Sequence, residues 1–299
     1  MHDTISRIVQ EVMQPPSLQS LAIFFLGVGI VFGLLERLFP AKRRGILRPG
    51  LGIDVFYWLF TPIVTKVITS AILAVVIYGV FLVLGWPVSA ETMDGFGPMS
   101  RLPIWLQGLA GLLVVDFAGY WVHRWFHVTY MWRYHAIHHS PRHLDWLSAY
   151  RMHPLNDAIS RVAQTLPLVM LGFSPRVILF FIPFVVVYVV FLHSNIRWTF
   201  GPLRFVISSP TFHRWHHTSE PEGIDRNYAT MFPIWDLLFG TFYLPDRQPE
   251  RYGVKDNSVP ESFLGQMLHP FVWKGPELTS SDEVLDDPLF HPGYQSSPR

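Results

Sequence analysis

The chain has 299 residues, of which 50% are apolar and only 15% charged, with a mean hydropathy of +0.27; a soluble domain carries about a quarter charged residues, so this is the composition of a membrane protein. Its 23 basic and 22 acidic residues leave no positive excess to hold a phosphate backbone, which argues against a nucleic-acid partner. There is no cysteine, which excludes disulfide frameworks, thiolate zinc sites and cysteine-held iron–sulfur clusters, so any metal must be bound by nitrogen or oxygen.

In chain order, the first long apolar run is Leu18 to Leu38, about the 20 residues a spanning helix needs, and it is read as a span and not a cleaved signal. The run from Val55 to Leu84 carries Lys66 near its middle. It reads as an interfacial stretch up to Lys66 followed by one span over Val67 to Leu84. A third span is expected from about Pro103 to Val122. Two shorter runs, Ile159 to Phe173 and Val177 to Leu192, flank the turn-like Gly172-Phe173-Ser174-Pro175 and predict a hairpin, either tilted across the bilayer or re-entrant. The expected fold is therefore all-α, a polytopic membrane bundle of four to five segments with a helical cap. Its parts are residues 1–102 with the first membrane segments and a basic loop, a catalytic segment over 103–245, and an extension over 246–299. The polar stretch Pro276 to Arg299 reads as a solvated tail.

Lysine and arginine alternate between these segments, with one before the first span, five from Arg37 to Arg48, and only Arg101 between Gly85 and Leu102. Arg124, Arg133, Arg142 and Arg151 then follow the third span. Loops retained in the cytoplasm are enriched in both residues, so the amino terminus is expected outside, with the carboxyl terminus and the motifs described next in the cytoplasm.

Eleven of the 14 histidines lie between His123 and His217. The third span ends in Asp116, Tyr120, His123 and His127, offsets that share one helical face and place two histidines a turn apart. His135-Ala-Ile-His138-His139 and His213-Arg-Trp-His216-His217 each form an H-x-x-H-H pattern in which the adjacent pair splays, so one helix can reach two metal ions. His193 closes the hairpin, and His153 stands in Arg151-Met-His153-Pro154. The nine histidines His123, His127, His135, His138, His139, His193, His213, His216 and His217 exceed what one ion uses, so two metals are implied, and softness alone does not choose between zinc, copper and iron. There is no Glu-x-x-His and no His-Glu-x-x-His, which argues against the soluble di-iron bundle and the zinc protease. Asp116, an ionisable group within a span, is read either as acceptor for a ligand imidazole N–H or as a packing partner of Tyr120 or an arginine. Asn195 and Asn227 are candidates for orienting a ligand or a metal-bound water, with a turn favoured for Asn227. A metal transporter and a bis-histidine haem protein are the alternatives. The first expects a site at the membrane midplane on interrupted helices, and the second gives no role to H-x-x-H-H.

The order H-x-x-x-H, H-x-x-H-H, a lone histidine after a membrane hairpin and a second H-x-x-H-H resembles the fatty acid hydroxylase and sterol desaturase superfamily over about Trp105 to Leu244. The segments Asp116 to Arg124, Trp132 to Ser140, Arg151 to Pro154, Asn227 to Ala229 and Ile234 to Phe242 carry the resemblance. It implies a non-haem di-iron centre that uses O2 to hydroxylate or desaturate a membrane lipid, with zinc an alternative occupant in isolated protein. The nine histidines would be the ligands and catalytic residues, and His153 a supporting or substitute ligand. Asn156 departs from the glutamate many relatives have after His-Pro-Leu. No haem, flavin or nicotinamide motif is visible, so electrons are expected from a separate ferredoxin, b-type cytochrome or reductase.

Overall fold

The structure is a computed structural model that describes residues 16–45, 47–89, 91–255 and 258–273. The expected tail from Pro276 to Arg299 lies outside these. Among the described residues there is no strand, only two isolated bridges, Pro40 with Ile196 and Thr218 with Tyr252. Helix α1 spans Leu18–Leu38, as its apolar run predicts, and Ser17 caps it by accepting the Ser20 N–H.

Helix α2 runs unbroken over Leu51–Leu84, which corrects the division at Lys66. What the sequence marks as a separate interfacial stretch is joined to the span through a π turn at Thr61–Thr65. Pro62 explains the join: it has no N–H to give the preceding turn, and the helix widens there instead of ending. Helix α3 covers Ile104–Val128 and continues past the expected Val122 to include both histidines at its end.

A short helix α4, Trp132–His139, and a 3-10 turn, Trp146–Tyr150, lead into the hairpin of α5, Pro154–Met170, and α6, Pro175–His193. Both hairpin helices begin on a proline, whose missing N–H is not needed in the first turn. The tip reaches the end of the bundle opposite the histidines. There Phe96 N–H donates to Gly172 O at 2.9 Å and Arg176 pairs with Asp94 at 2.7 Å. Gly172 sits at φ +75°, and a Cβ on it would lie 1.8 Å from Phe96 O, so only glycine closes this contact.

Among the described residues four helices are long and apolar enough to cross a membrane, namely α1, α2, α3 and α6. Their outward faces are apolar, as at Ile30 and Leu34 of α1 and at Val75 and Val83 of α2. Helix α5 is shorter, about 25 Å, and amphipathic, and it is held between α2 and α3. Three further α-helices follow among the described residues: α7 over Pro210–His216, α8 over Ile234–Leu238 and α9 over Phe263–Val272. The core beside the site is aromatic, with Trp58 packed on Trp146 and Tyr150 at ring separations of 5.1 and 4.2 Å.

Candidate metal centre

The nine histidines converge at the common end of α3, α4, α6 and α7 and divide into two groups, His123, His127, His135, His139 and His216 in one, His138, His193, His213 and His217 in the other. Within each group one ring nitrogen per residue lies within 4.8 Å of all the others. The H-x-x-H-H spacing accounts for the division. Residues i and i+4 share a face, so His135 and His139 enter one group, while His138 turns to the other. Helix α7 repeats this with the roles exchanged, sending His213 and His217 to the second group and His216 to the first.

The ring nitrogens that point away from the site are anchored. His123 Nδ1 lies 2.8 Å from Tyr228 O, His138 Nδ1 3.0 Å from Arg151 O, His193 Nδ1 2.8 Å from Val189 O and His216 Nδ1 2.8 Å from Arg226 O. A carbonyl oxygen only accepts, so each of these Nδ1 atoms carries the proton and each Nε2 presents a lone pair. His135 Nδ1 lies 2.8 Å from Asn156 Oδ1, and His127 Nδ1 3.0 Å from Asp225 Oδ1.

The consequence is a set of lone pairs facing one another. His123 Nε2 is 3.0 Å from His135 Nε2, and His138 Nε2 is 3.1 Å from His193 Nε2. The buried Nε2 atoms of His127 and His216 have no hydrogen-bond partner. Such an arrangement is repulsive between neutral rings and costs desolvation without compensation unless a cation stands between them. The side chains thus fit two metal ions. Burial holds the pKa of His135, His138, His139, His213, His216 and His217 well below 6.5, which keeps them neutral and able to ligate.

Other sequence candidates lie elsewhere. Asp116 does not accept from an imidazole. Its carboxylate takes the backbone N–H groups of Thr230, Met231 and Phe232 at 3.1, 2.7 and 2.8 Å, where the chain bends past the α3 face outside any helix. Tyr120 bonds Thr241 and Arg124. His153 is in neither group. It caps α5 by accepting the Leu155 N–H at 3.1 Å, and its Nε2 faces Met267 O at 3.3 Å. Asn195 is occupied on both sides by the backbone of Lys42. Asn227 takes the turn role, at φ 60°, with its amide bound to Phe212 O and Tyr243 O.

Two contributors, Asp225 and Asp236, are not singled out by the sequence reading, and a third, Asn156, is marked there only as a departure. Asn156 serves as acceptor for His135 in the place where a carboxylate was noted as missing. Asp225 holds His127 from a turn at φ 56°. Asp236 binds the N–H groups of Tyr228 and Ala229 at 2.8 and 2.9 Å, which fixes the carbonyl that orients His123.

A cavity of about 240 Å3 opens below the two groups and reaches His123 and His135 of the first and His138, His193 and His213 of the second. One wall is apolar, from Leu112, Val115 and Val122 of α3 and Val185, Val186 and Val189 of α6. The other is α5.

A family model described as fatty acid hydroxylase matches residues 108–241. The chain is 30% identical over 260 residues to an ornithine lipid hydroxylase of Rhizobium tropici, covering 85% of this chain and 76% of that protein. It is 36% identical over 134 residues to an alkylglycerol monooxygenase of Homo sapiens, 44% of this chain and 30% of that protein, so it spans about a third of that relative. A very-long-chain aldehyde decarbonylase of Oryza sativa subsp. indica is 26% identical over 161 residues, 48% of this chain and 25% of that protein. No solved structure matches.

Proposed function

The chain belongs to the fatty acid hydroxylase family, and on that premise we propose that it is a membrane-bound non-haem di-iron enzyme that hydroxylates or desaturates a lipid with O2. The observation that carries this reading is the division of nine histidines into two groups, one buried and one mostly so, whose ring nitrogens face one another without protons between them. His123, His127, His135, His139 and His216 would hold one ion and His138, His193, His213 and His217 the other.

The nitrogen separations are short enough for each group to share one ion. Ligands at about 2.1 Å from a metal stand about 3.0 Å apart at a right angle and about 3.4 Å apart at a tetrahedral one. Five adjacent pairs, His123–His135, His135–His139, His138–His193, His193–His213 and His213–His217, are 3.0 to 3.1 Å apart. Such edges are compatible with one shared ion in each group. When bound, the iron pair would supply the O2 chemistry that an unactivated C–H bond requires. The protein's share is to hold the ligand rings through Tyr228 O, Arg151 O, Val189 O, Arg226 O, Asn156 and Asp225, and to keep the substrate carbon in the cavity beneath them.

Electrons come from a separate donor, a ferredoxin, b-type cytochrome or reductase, and the lysine and arginine counts support a cytoplasmic side for the histidines. The substrate is a bilayer lipid. The test is metal analysis of detergent-purified protein grown with iron and zinc, combined with O2-dependent mass change of membrane lipids in cells expressing the wild type or His138→Ala. Close to two irons per chain, and a lipid gaining one oxygen or losing two hydrogens only with the wild type, are expected. One metal or none, or the same lipid change in the variant, would overturn the reading.

A further inference from the structure

Helix α5 places all its polar side chains from Asn156 to Gln164 in the wall of the cavity under the histidines: Asn156, Asp157, Ser160, Arg161 and Gln164. A cavity built only to admit a hydrocarbon tail would leave the part-buried ones among these groups without water, at a cost for each unpaired one, while Arg161, whose side chain is 46% exposed, also reaches the surface. Two are already satisfied. Asn156 accepts from His135, and Asp157 accepts from Thr69 Oγ1 at 2.8 Å and from Arg161 Nε at 3.4 Å.

What remains among the described residues is a row of free donors. Both Nη groups of Arg161 donate to no protein acceptor, the Gln164 amide makes no hydrogen bond, and the Ser160 hydroxyl meets only the Asn156 Nδ2 at 3.4 Å. Gln164 lies against α3 at Gly119, where a Cβ would come within 2.9 Å of its Nε2, one turn before His123. The free donors therefore stand at the level of the site and not at the far end of the bundle.

We propose that Arg161, Gln164 and Ser160 select the substrate by binding an acceptor oxygen of the lipid's polar end, a carboxylate or a carbonyl, so that the carbon presented to the histidines lies near that end and not at the methyl terminus. Eight residues of helix from Asn156 to Gln164 span about 12 Å. At about 1.2 Å per bond of extended chain, this places the oxidised carbon within about ten bonds of the bound oxygen. The inference rests on the oxygenase reading for its chemistry, but its binding step can be measured without turnover.

The experiment measures binding of hexadecanoic acid, its methyl ester and hexadecane to anaerobic metal-loaded protein in lipid nanodiscs, wild type against the Arg161→Leu/Gln164→Leu double variant, with metal content as the control for folding. The wild type is expected to favour the acid, or the acid and the ester, over hexadecane by about tenfold or more, and the double variant to lose that preference. Preference for the acid alone assigns a carboxylate, and equal preference for acid and ester a carbonyl. Hexadecane bound as tightly as both, or a preference that survives in the double variant at unchanged metal content, would overturn the proposal. If the double variant holds no metal, Gln164→Leu alone carries the comparison, with a loss of about threefold expected and no loss overturning it. In air with a chemical reductant, oxidation confined to the methyl end would also overturn it. Selective binding with no oxidised lipid would instead remove the oxygenase reading and leave the binding site in place.

Discussion

Asn156 Oδ1 lies 2.8 Å from His135 Nδ1, and the opposite face of the same amide points at Met152 Sδ and Ser160 Oγ, which fixes its orientation. The ring of His135 is thereby aimed with Nε2 toward His123 and His139. Groups that hold a ligand imidazole from behind are worth about 10–100-fold in metal affinity. Asn156→Leu is expected to lower metal retention by about that factor, while Asn156→Asp retains it, measured by competition with a chelator. Equal retention in Asn156→Leu would show that His135 needs no acceptor.

The two groups predict separable losses. His138→Ala removes a nitrogen from the group with His193, His213 and His217, and His216→Ala removes one from the other. Each variant is expected to lose at least one ion per chain and, on the di-iron reading, all activity. His269, buried on α9 and outside both groups, is the control: His269→Ala keeps the metal content. Full metal content in either ligand variant would remove that residue from the ligand set.

How far the sequence carries can be judged from these residues. The nine histidines are legible because metal chelation demands a residue type and a spacing, and both survive in one dimension. The groups behind them are not legible. Four of the six acceptors are backbone carbonyls, at Tyr228, Arg151, Val189 and Arg226, which have no signature. Asp225 could be found only as a turn residue. Asp116 misleads for a related reason: its place in a helical row with His123 says which face it is on, and the partner that crosses that face is 114 residues away. The basic loop carries two signals at once. Arg48 contributes to the topological count, yet it also pairs with Asp54 and Asp145, so charge counted as free is committed to the fold.

Acid should release the metals. Burial holds the pKa of His135, His138, His139, His213, His216 and His217 well below 6.5, the value the unfolded chain shows. His153, pushed down to about 4 by burial, behaves alike. For such groups the unfolded chain takes up protons first, so their contribution to stability is complete above about pH 6.5 and is lost as pH falls toward the depressed folded values. Metal content measured after dialysis is expected to be constant from about pH 7 to 8 and to decline below about pH 6. Retention unchanged down to about pH 4 would contradict ligation by neutral imidazole.

Asp54 offers a test of how the second group is held from outside. Its carboxylate, fully buried on α2, meets Arg48 Nη1 at 2.8 Å and Arg151 Nη2 at 2.6 Å. Arg151 in turn presents the carbonyl that orients His138. Removing one member of a buried ionic cluster leaves the others uncompensated and costs about 3–5 kcal/mol. Asp54→Leu is expected to lower the unfolding midpoint accordingly and to weaken metal binding in the group containing His138 before that containing His123. Asp54→Asn, which keeps an acceptor oxygen for the Arg151 guanidinium, should lose less of both. Thermal unfolding in detergent, with metal counted per chain, separates the two effects. A midpoint unchanged in Asp54→Leu would mean that Arg48 and Arg151 find water or Asp145 instead, and that the carbonyl of Arg151 is held by the 3-10 turn before it.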